Sequence, residues 1–141
     1  MFQLQIITLS GVYLDDEVHE VQVPTQAGPI ALNAGHAPLV GVIKPGVLTI
    51  IRKKGDTQDH HEQIGVYEGT VDVLNDTVKV LVDDVDTPDE YSEEEAKKAF
   101  KRAKEMTEKA GDSVALSEAQ SMMDRSAVRL QLAGLKKRSK R

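Results

Sequence analysis

From Phe2 to Val85 apolar and polar residues alternate with a period of two. Leu4 and Ile6 alternate with Gln3 and Gln5, His19, Val21 and Val23 with Glu20 and Gln22, and Val78, Val80 and Val82 flank Lys79 and Leu81. Such alternation predicts half-buried strands, because successive side chains on an extended backbone point to opposite faces. Turn chemistry interrupts these runs at Ser10-Gly11, from Thr25 to Gly28, from Lys53 to Asp56 and at Asn75-Asp76. Many short strands at that spacing predict an antiparallel sandwich or flattened barrel. Val47 to Arg52 and His60 to Val66 read as one hairpin with a polar tip.

The period changes after Asp83-Asp84-Val85-Asp86-Thr87-Pro88, an acidic link broken by proline. Ser92 and Glu95 have the spacing of a capping box, and Ala96, Ala99, Phe100, Ala103, Met106 and Ala110 then recur at helical spacing until Gly111. Ser117 and Gln120 form a weaker second start, with Leu116, Ala119, Met123, Ala127 and Leu130 as the apolar stripe behind it. Two helices of roughly 17 residues, ~25 Å each, joined by a short link predict an antiparallel pair. The expected fold is therefore α+β. Residues 1–86 form an antiparallel β-sandwich and residues 87–141 a two-helix hairpin. Alanine-rich stripes bury little apolar area, so at ~25 cal/mol per Å² the helical seam contributes only a few kcal/mol and is able to open.

Composition sharpens this picture in three places. Aromatic residues make up only 4% of the chain and tryptophan is absent, so the core must be aliphatic. Without cysteine there is no disulfide or thiol chemistry, and no apolar run approaches the ~18 residues of a membrane span. The amino terminus reads directly as a strand, which predicts a soluble, unprocessed protein of a reducing compartment. Charge is unevenly spread: residues 1–91 carry net −10, whereas residues 92–141 carry net +5. From Arg125 onward there are seven basic side chains and no acidic one. Opposite signs point to two modules with different partners.

Candidate chemistry is sparse. No phosphate-cradling loop and no nucleophile paired with a base is recognisable, so no catalytic residue and no cofactor is expected. Asp59-His60-His61-Glu62 is the one apparent metal cluster, but neighbouring side chains on a strand face opposite ways, and a solvated hairpin tip is the better reading. His36, in a turn, fits local hydrogen bonding or a contact surface. The basic tail lacks interleaved aromatics, which argues against nucleic acid and for an acidic protein surface.

One stretch is dense with turn residues: Gly28-Pro29-Ile30-Ala31-Leu32-Asn33-Ala34-Gly35-His36-Ala37-Pro38-Leu39-Val40, running on into Lys44-Pro45-Gly46-Val47-Leu48-Thr49-Ile50. It resembles the signature of the epsilon subunits of F-type ATP synthases. Leu4-Gln5-Ile6-Ile7-Thr8 and Val23-Pro24 precede it in that family's order, and Ile64-Gly65-Val66-Tyr67-Glu68-Gly69-Thr70-Val71-Asp72-Val73 follows. The chain departs from the family pattern at Leu9, where proline is common, at Pro29, where glutamate is usual, and at Glu68 and Thr70, within a usual Gly-Gly-Phe.

The resemblance implies a β-sandwich followed by a helical hairpin in a non-catalytic central-stalk subunit. It grips the gamma subunit, rests on the ring of c subunits and regulates ATP hydrolysis by extending its helices toward the alpha and beta subunits. It places Thr8, His36 and Gly41 at the gamma contact and Pro29 and Ile30 at the c-ring contact. The basic residues Arg125, Arg129, Lys136, Lys137 and Arg138 then become candidate regulatory contacts. The implied location is peripheral, on the cytoplasmic face of a bacterial membrane. Some relatives bind ATP through an Ile-Asp-x-x-Arg-Ala motif; here Tyr91-Ser92 stand at its start and Glu95 at its arginine, where an acid repels phosphate. The alternative from another class is a stand-alone sandwich that binds a small ligand, with a dimerising helical appendage. That alternative expects a deep pocket of convergent polar groups, whereas the stalk reading expects a flat exposed apolar face.

Overall fold

The computed structural model describes residues 1–57, 60–88 and 93–139, with side chains through Leu135. Ten strands come first: β1 (Phe2–Thr8), β2 (Gly11–Val18), β3 (Glu20–Thr25), β4 (Gly28–Asn33), β5 (Leu39–Ile43), β6 (Gly46–Ile51), β7 (Glu62–Val66), β8 (Gly69–Leu74), β9 (Thr77–Val82) and β10 (Val85–Asp86). Two helices follow, α1 (Glu93–Glu108) and α2 (Ser113–Ser139). The chain divides into two compact units, Met1–Val85 and Asp86–Arg141.

In the first unit the strands hydrogen-bond in the order β10-β7-β6-β3-β5-β8-β9-β1-β2, with β4 paired to β3. This path curls over one aliphatic core, a β-sandwich. Alternation decides which side chains enter it. Phe2, Leu4 and Ile6 from β1, Val21 and Val23 from β3, Val71 and Val73 from β8, and Val78, Val80 and Val82 from β9 are all buried in a single cluster. Phe2 is its one aromatic member, as the composition requires. The β6–β7 hairpin has Gly46 opposite Val66 and Ile50 opposite Glu62. One pairing departs from the antiparallel expectation: β1 runs parallel to β9, with Gln3 beside Thr77 and Ile7 beside Leu81. Those partners are more than seventy residues apart, so no local pattern in the sequence reveals their direction.

The dense Gly/Pro stretch earns its punctuation by close approach. A Cβ at Gly46 would lie 2.9 Å from the Pro24 Cβ, so only glycine lets β6 start there. Arg52, just past β6, ties distant strands together. Its Nε donates to Glu62 on β7 at 2.7 Å, and its Nη1 donates to Asp16 on β2 at 3.1 Å. Since β2 ends the hydrogen-bonded path, this guanidinium joins strands that the ladder keeps apart. Hydrogen bonds to Glu62 and then Asp16 hold its pKa above the ordinary arginine value.

In the second unit α1 begins with Glu93, Glu94 and Glu95, whose charges suit the positive end of the helix dipole. The proposed cap at Ser92 lies outside the described residues. The second helix starts four residues before the expected Ser117. Asp112 caps it, its Oδ1 accepting from the Ala115 amide at 2.7 Å. With 27 residues α2 spans about 40 Å rather than ~25 Å. Its buried face also differs from the expected stripe. Ala96 and Ala103 on α1, and Ala119, Ser126 and Ala133 on α2, are buried at seven-residue spacing. Met106, Leu116 and Ala127 stay exposed. Small residues allow two helix backbones to approach closely at those levels, while Val128 and Leu132 are the larger apolar side chains that α2 also buries.

Candidate functional site

The outer face of the sandwich carries an apolar row. Val42 on β5 lies opposite Thr70 on β8, Thr70 opposite Leu81 on β9, Leu81 beside Ile7 on β1, and Ile7 opposite Val12 on β2. The row crosses five strands at one level. Val42 is 51% exposed, Leu81 42% and Val12 66%. The next level reads Val40, Asp72, Lys79, Gln5 and Asp15, polar except for Val40 at 75% exposure. Beside the middle of the row Ile7, Thr8, Leu9, Glu68, Gly69, Leu81, Val82 and Asp83 line a shallow groove of about 340 Å³. Leu9, 88% exposed, stands at its mouth, and Glu68 and Asp83 give it an acidic rim. Exposed apolar surface arranged in a row, rather than scattered singly, marks a place where another protein sits.

The residues expected at the gamma contact bracket this face. Thr8 closes β1, and its hydroxyl donates to the Gly11 carbonyl at 3.1 Å, bracing the β1–β2 turn. His36 follows Gly35, whose amide donates to Asp76 Oδ1 at 2.6 Å, while the Asp76 carbonyl accepts from the Gln3 amide at 3.0 Å. The His36 loop therefore lies at the Gln3 end of β1 and Thr8 at the other, about 17 Å apart at ~3.3 Å per residue. Gly41 lies between them on β5 but is aligned with the inward side: a Cβ there would meet Val71 Cγ1 at 3.2 Å. Its neighbours Val40 and Val42 face outward, and sequence reasoning missed both. Their signal was present, since an inward Ile43 at odd register forces Val40 and Val42 to the opposite face.

Pro29 and Ile30 lie on β4, where Pro29 opposes Pro24 and Ile30 opposes Val23. Pro29 is exposed, whereas Ile30 is half-buried and packs on the core. In the helical unit Arg125 is half-buried. Arg129 Nε donates to Asp86 Oδ2 at 3.1 Å, and that carboxylate is almost fully buried. Side chains of Lys136, Lys137 and Arg138 lie outside the described residues. The histidines of the suspected metal cluster serve the β6–β7 loop instead. His60 Nδ1 pairs with Thr57 Oγ1 at 3.1 Å and His61 Nε2 with the Asp56 carbonyl at 3.2 Å. Asp59 lies outside the described residues, and among the described ones no three His, Asp or Glu side chains are placed to hold an ion. A second cleft, about 350 Å³, is lined by Arg102, Met106, Lys109 and Glu118 near the α1–α2 link. Among the described residues no helix is long and apolar enough to cross a membrane.

Comparison with known proteins agrees with this architecture. Residues 1–88 match the family described as ATP synthase, Delta/Epsilon chain, beta-sandwich domain, and residues 92–134 match its long alpha-helix domain. The ATP synthase epsilon chains of Staphylococcus aureus strains JH9 and Newman are each 34% identical over 134 residues, covering 94% of this chain and 96% of theirs. In fold the chain is similar to a chain of the Euglena gracilis mitochondrial ATP synthase, with a TM-score of 0.79, 20% identity, and coverage of 92% of this chain and 79% of that one. It also resembles a chain of the Tetrahymena thermophila mitochondrial ATP synthase central stalk and c-ring, with a TM-score of 0.60, 16% identity, and coverage of 93% and 95%.

Proposed function

The chain belongs to the ATP synthase delta/epsilon family and is an epsilon-type, non-catalytic subunit of that complex; from this premise we propose that its sandwich docks the gamma subunit through the outer face of β5, β8, β9, β1 and β2. The observation that carries the reading is the row Val42, Thr70, Leu81, Ile7 and Val12 between Thr8 and His36, in which Val42, Leu81 and Val12 are apolar and exposed and Ile7 is half-buried. A torque-bearing joint needs a stiff surface rather than a reactive one. Five hydrogen-bonded strands backed by a solid aliphatic core provide it. The β3–β4 end, with Pro29 exposed, faces the ring of c subunits. Because proline replaces a charged residue there, this contact rests on shape. The subunit works peripherally on the cytoplasmic face of a bacterial membrane.

The helical unit regulates. Its buried face is mostly alanine, with Val128 and Leu132 as larger members, and a bias of ~1–3 kcal/mol between folded and extended forms is enough for a responsive switch. Extended, Arg125, Arg129, Lys136, Lys137 and Arg138 lie against acidic segments of the catalytic beta subunits and restrain ATP hydrolysis. Arg129 must first leave Asp86. Titration of the full chain with purified gamma subunit tests the docking: binding lost in a Leu81→Arg variant that still folds supports it, and unaltered binding refutes it. Deleting residues 123–141 is expected to raise hydrolysis by the assembled enzyme. Unchanged hydrolysis retires the regulatory part and leaves the docking intact.

A further inference from the structure

The β8–β9 turn contains an anomaly that the docking row does not explain. Asn75 and Asp76 both have positive φ, 51° and 56°, as a two-residue hairpin turn of this type requires. Glycine is the favoured second residue of such a turn, because a Cβ crowds the backbone in the left-handed region. Asp76 occupies that position, which a short polar side chain tolerates, and its carboxylate makes a contact that glycine cannot. Its Oδ1 accepts a hydrogen bond from the Gly35 amide, 41 residues away, at 2.6 Å. Gly35 is itself left-handed, at φ 77°. Two left-handed residues are thus held together by one charge-assisted bond. That bond sets the start of the loop whose next residue is His36.

The His36 ring is fixed from the other side. Its Nδ1 lies 2.7 Å from the Ala37 carbonyl, and a carbonyl only accepts, so Nδ1 carries the proton. In the neutral ring Nε2 is then an unprotonated acceptor. The His36 amide also donates to the Asn33 carbonyl, at 3.3 Å. We propose that Asp76 is a positioning residue for docking: it clamps Gly35 so that His36 presents Nε2 as a hydrogen-bond acceptor to a donor on the gamma subunit. This rests on the docking reading given above, and it adds both a residue and a polarity. The partner surface facing His36 carries an N–H or O–H donor rather than a carboxylate. The β8–β9 turn thereby becomes part of the docking edge without touching the partner.

The test uses the full chain and purified gamma subunit. Asp76→Gly keeps the left-handed turn and removes only the acceptor. Removing a hydrogen bond to a charged group is expected to speed Gly35 amide exchange and weaken gamma binding, each about tenfold. In the same variant the ring nitrogen shifts of His36 move from the Nδ1–H form toward the commoner Nε2–H form. Melting temperature stays at or above that of the parent chain. Asp76→Asn retains an oxygen acceptor and restores exchange, tautomer and affinity. Unchanged Gly35 exchange and an unchanged His36 tautomer in Asp76→Gly overturn the clamp, whatever the affinity does. A separate arm, His36→Ala, addresses the docking reading: gamma binding equal to the parent chain removes this loop from the interface even if Asp76→Gly frees the Gly35 amide.

Discussion

Replacing Val40 and Val42 together by threonine is the sharpest perturbation of the docking face. Both side chains point outward from β5 and are 75% and 51% exposed, so a partner removes that remaining fraction from water. Full burial of a valine stabilises by ~1.5 kcal/mol, so the two exposed fractions correspond to about 1.1 and 0.8 kcal/mol, or roughly 2 kcal/mol together. Threonine forfeits most of this while keeping the branched Cβ that suits a strand. The expected result is a ~30-fold weaker gamma affinity by titration calorimetry. The melting temperature should barely move, since exposed substitutions of this kind usually change stability by under about 0.5 kcal/mol. Gly41→Ala on the same strand is the mirror experiment. Its new Cβ presses on Val71 from the inner side, so it lowers melting temperature and leaves the outward face in place. Affinity within threefold of the parent chain in the double threonine variant, with the fold intact, refutes the placement of gamma on this face.

Other expectations follow from individual contacts. Gly69→Ala puts a Cβ 2.9 Å from Val82 Cγ1 and closer still to the Leu81 carbonyl oxygen. Because Gly69 is paired to both Ile43 and Val82, the backbone has no room to retreat. The cost is about 3 kcal/mol, or roughly 15 °C in the melting temperature of the sandwich; a loss under 5 °C would show that the strand yields. Arg52→Met removes a partly exposed pair of ion contacts and should cost only about 1 kcal/mol. Because the guanidinium pKa is raised, its contribution is full below the ordinary arginine range and is lost only as pH climbs above the folded value. The deficit of Arg52→Met should therefore be flat from about pH 6 to 10, and a deficit that vanishes within that window contradicts the assignment. Arg129→Ala strips the guanidinium from a nearly buried Asp86, so the helical signal should melt earlier by about 3 kcal/mol, against no change if the pair is incidental. Equilibrium dialysis should detect no sub-millimolar ATP binding to the chain, given Glu95 in the first turn of α1.

What the amino-acid order determined by itself was local and periodic. Alternation along Phe2 to Val85 specified strands and their inward faces, since a period of two leaves no choice once one residue of a strand is buried. The aliphatic composition specified the core, and the acidic, proline-broken link after Val82 marked a change of character. Motif resemblance singled out Thr8 and His36 as expected contacts. Tertiary structure decided the rest, because it depends on partners far apart in the chain. The parallel pairing of β1 with β9 sets Leu81 beside Ile7 and so completes the exposed row. Only the assembled ladder shows that Val71 on β8 is what the inward side of Gly41 meets. The clamp from Asp76 to Gly35 spans 41 residues and leaves no trace in either local sequence. In the helices, Ala96, Ala103 and Ala119 lay on the stripes read from the sequence, whereas packing moved the rest of the buried face of α2 to Ser126, Val128, Leu132 and Ala133 and left Met106 and Leu116 in water. Periodicity names a face; which neighbour covers it is a property of the folded chain.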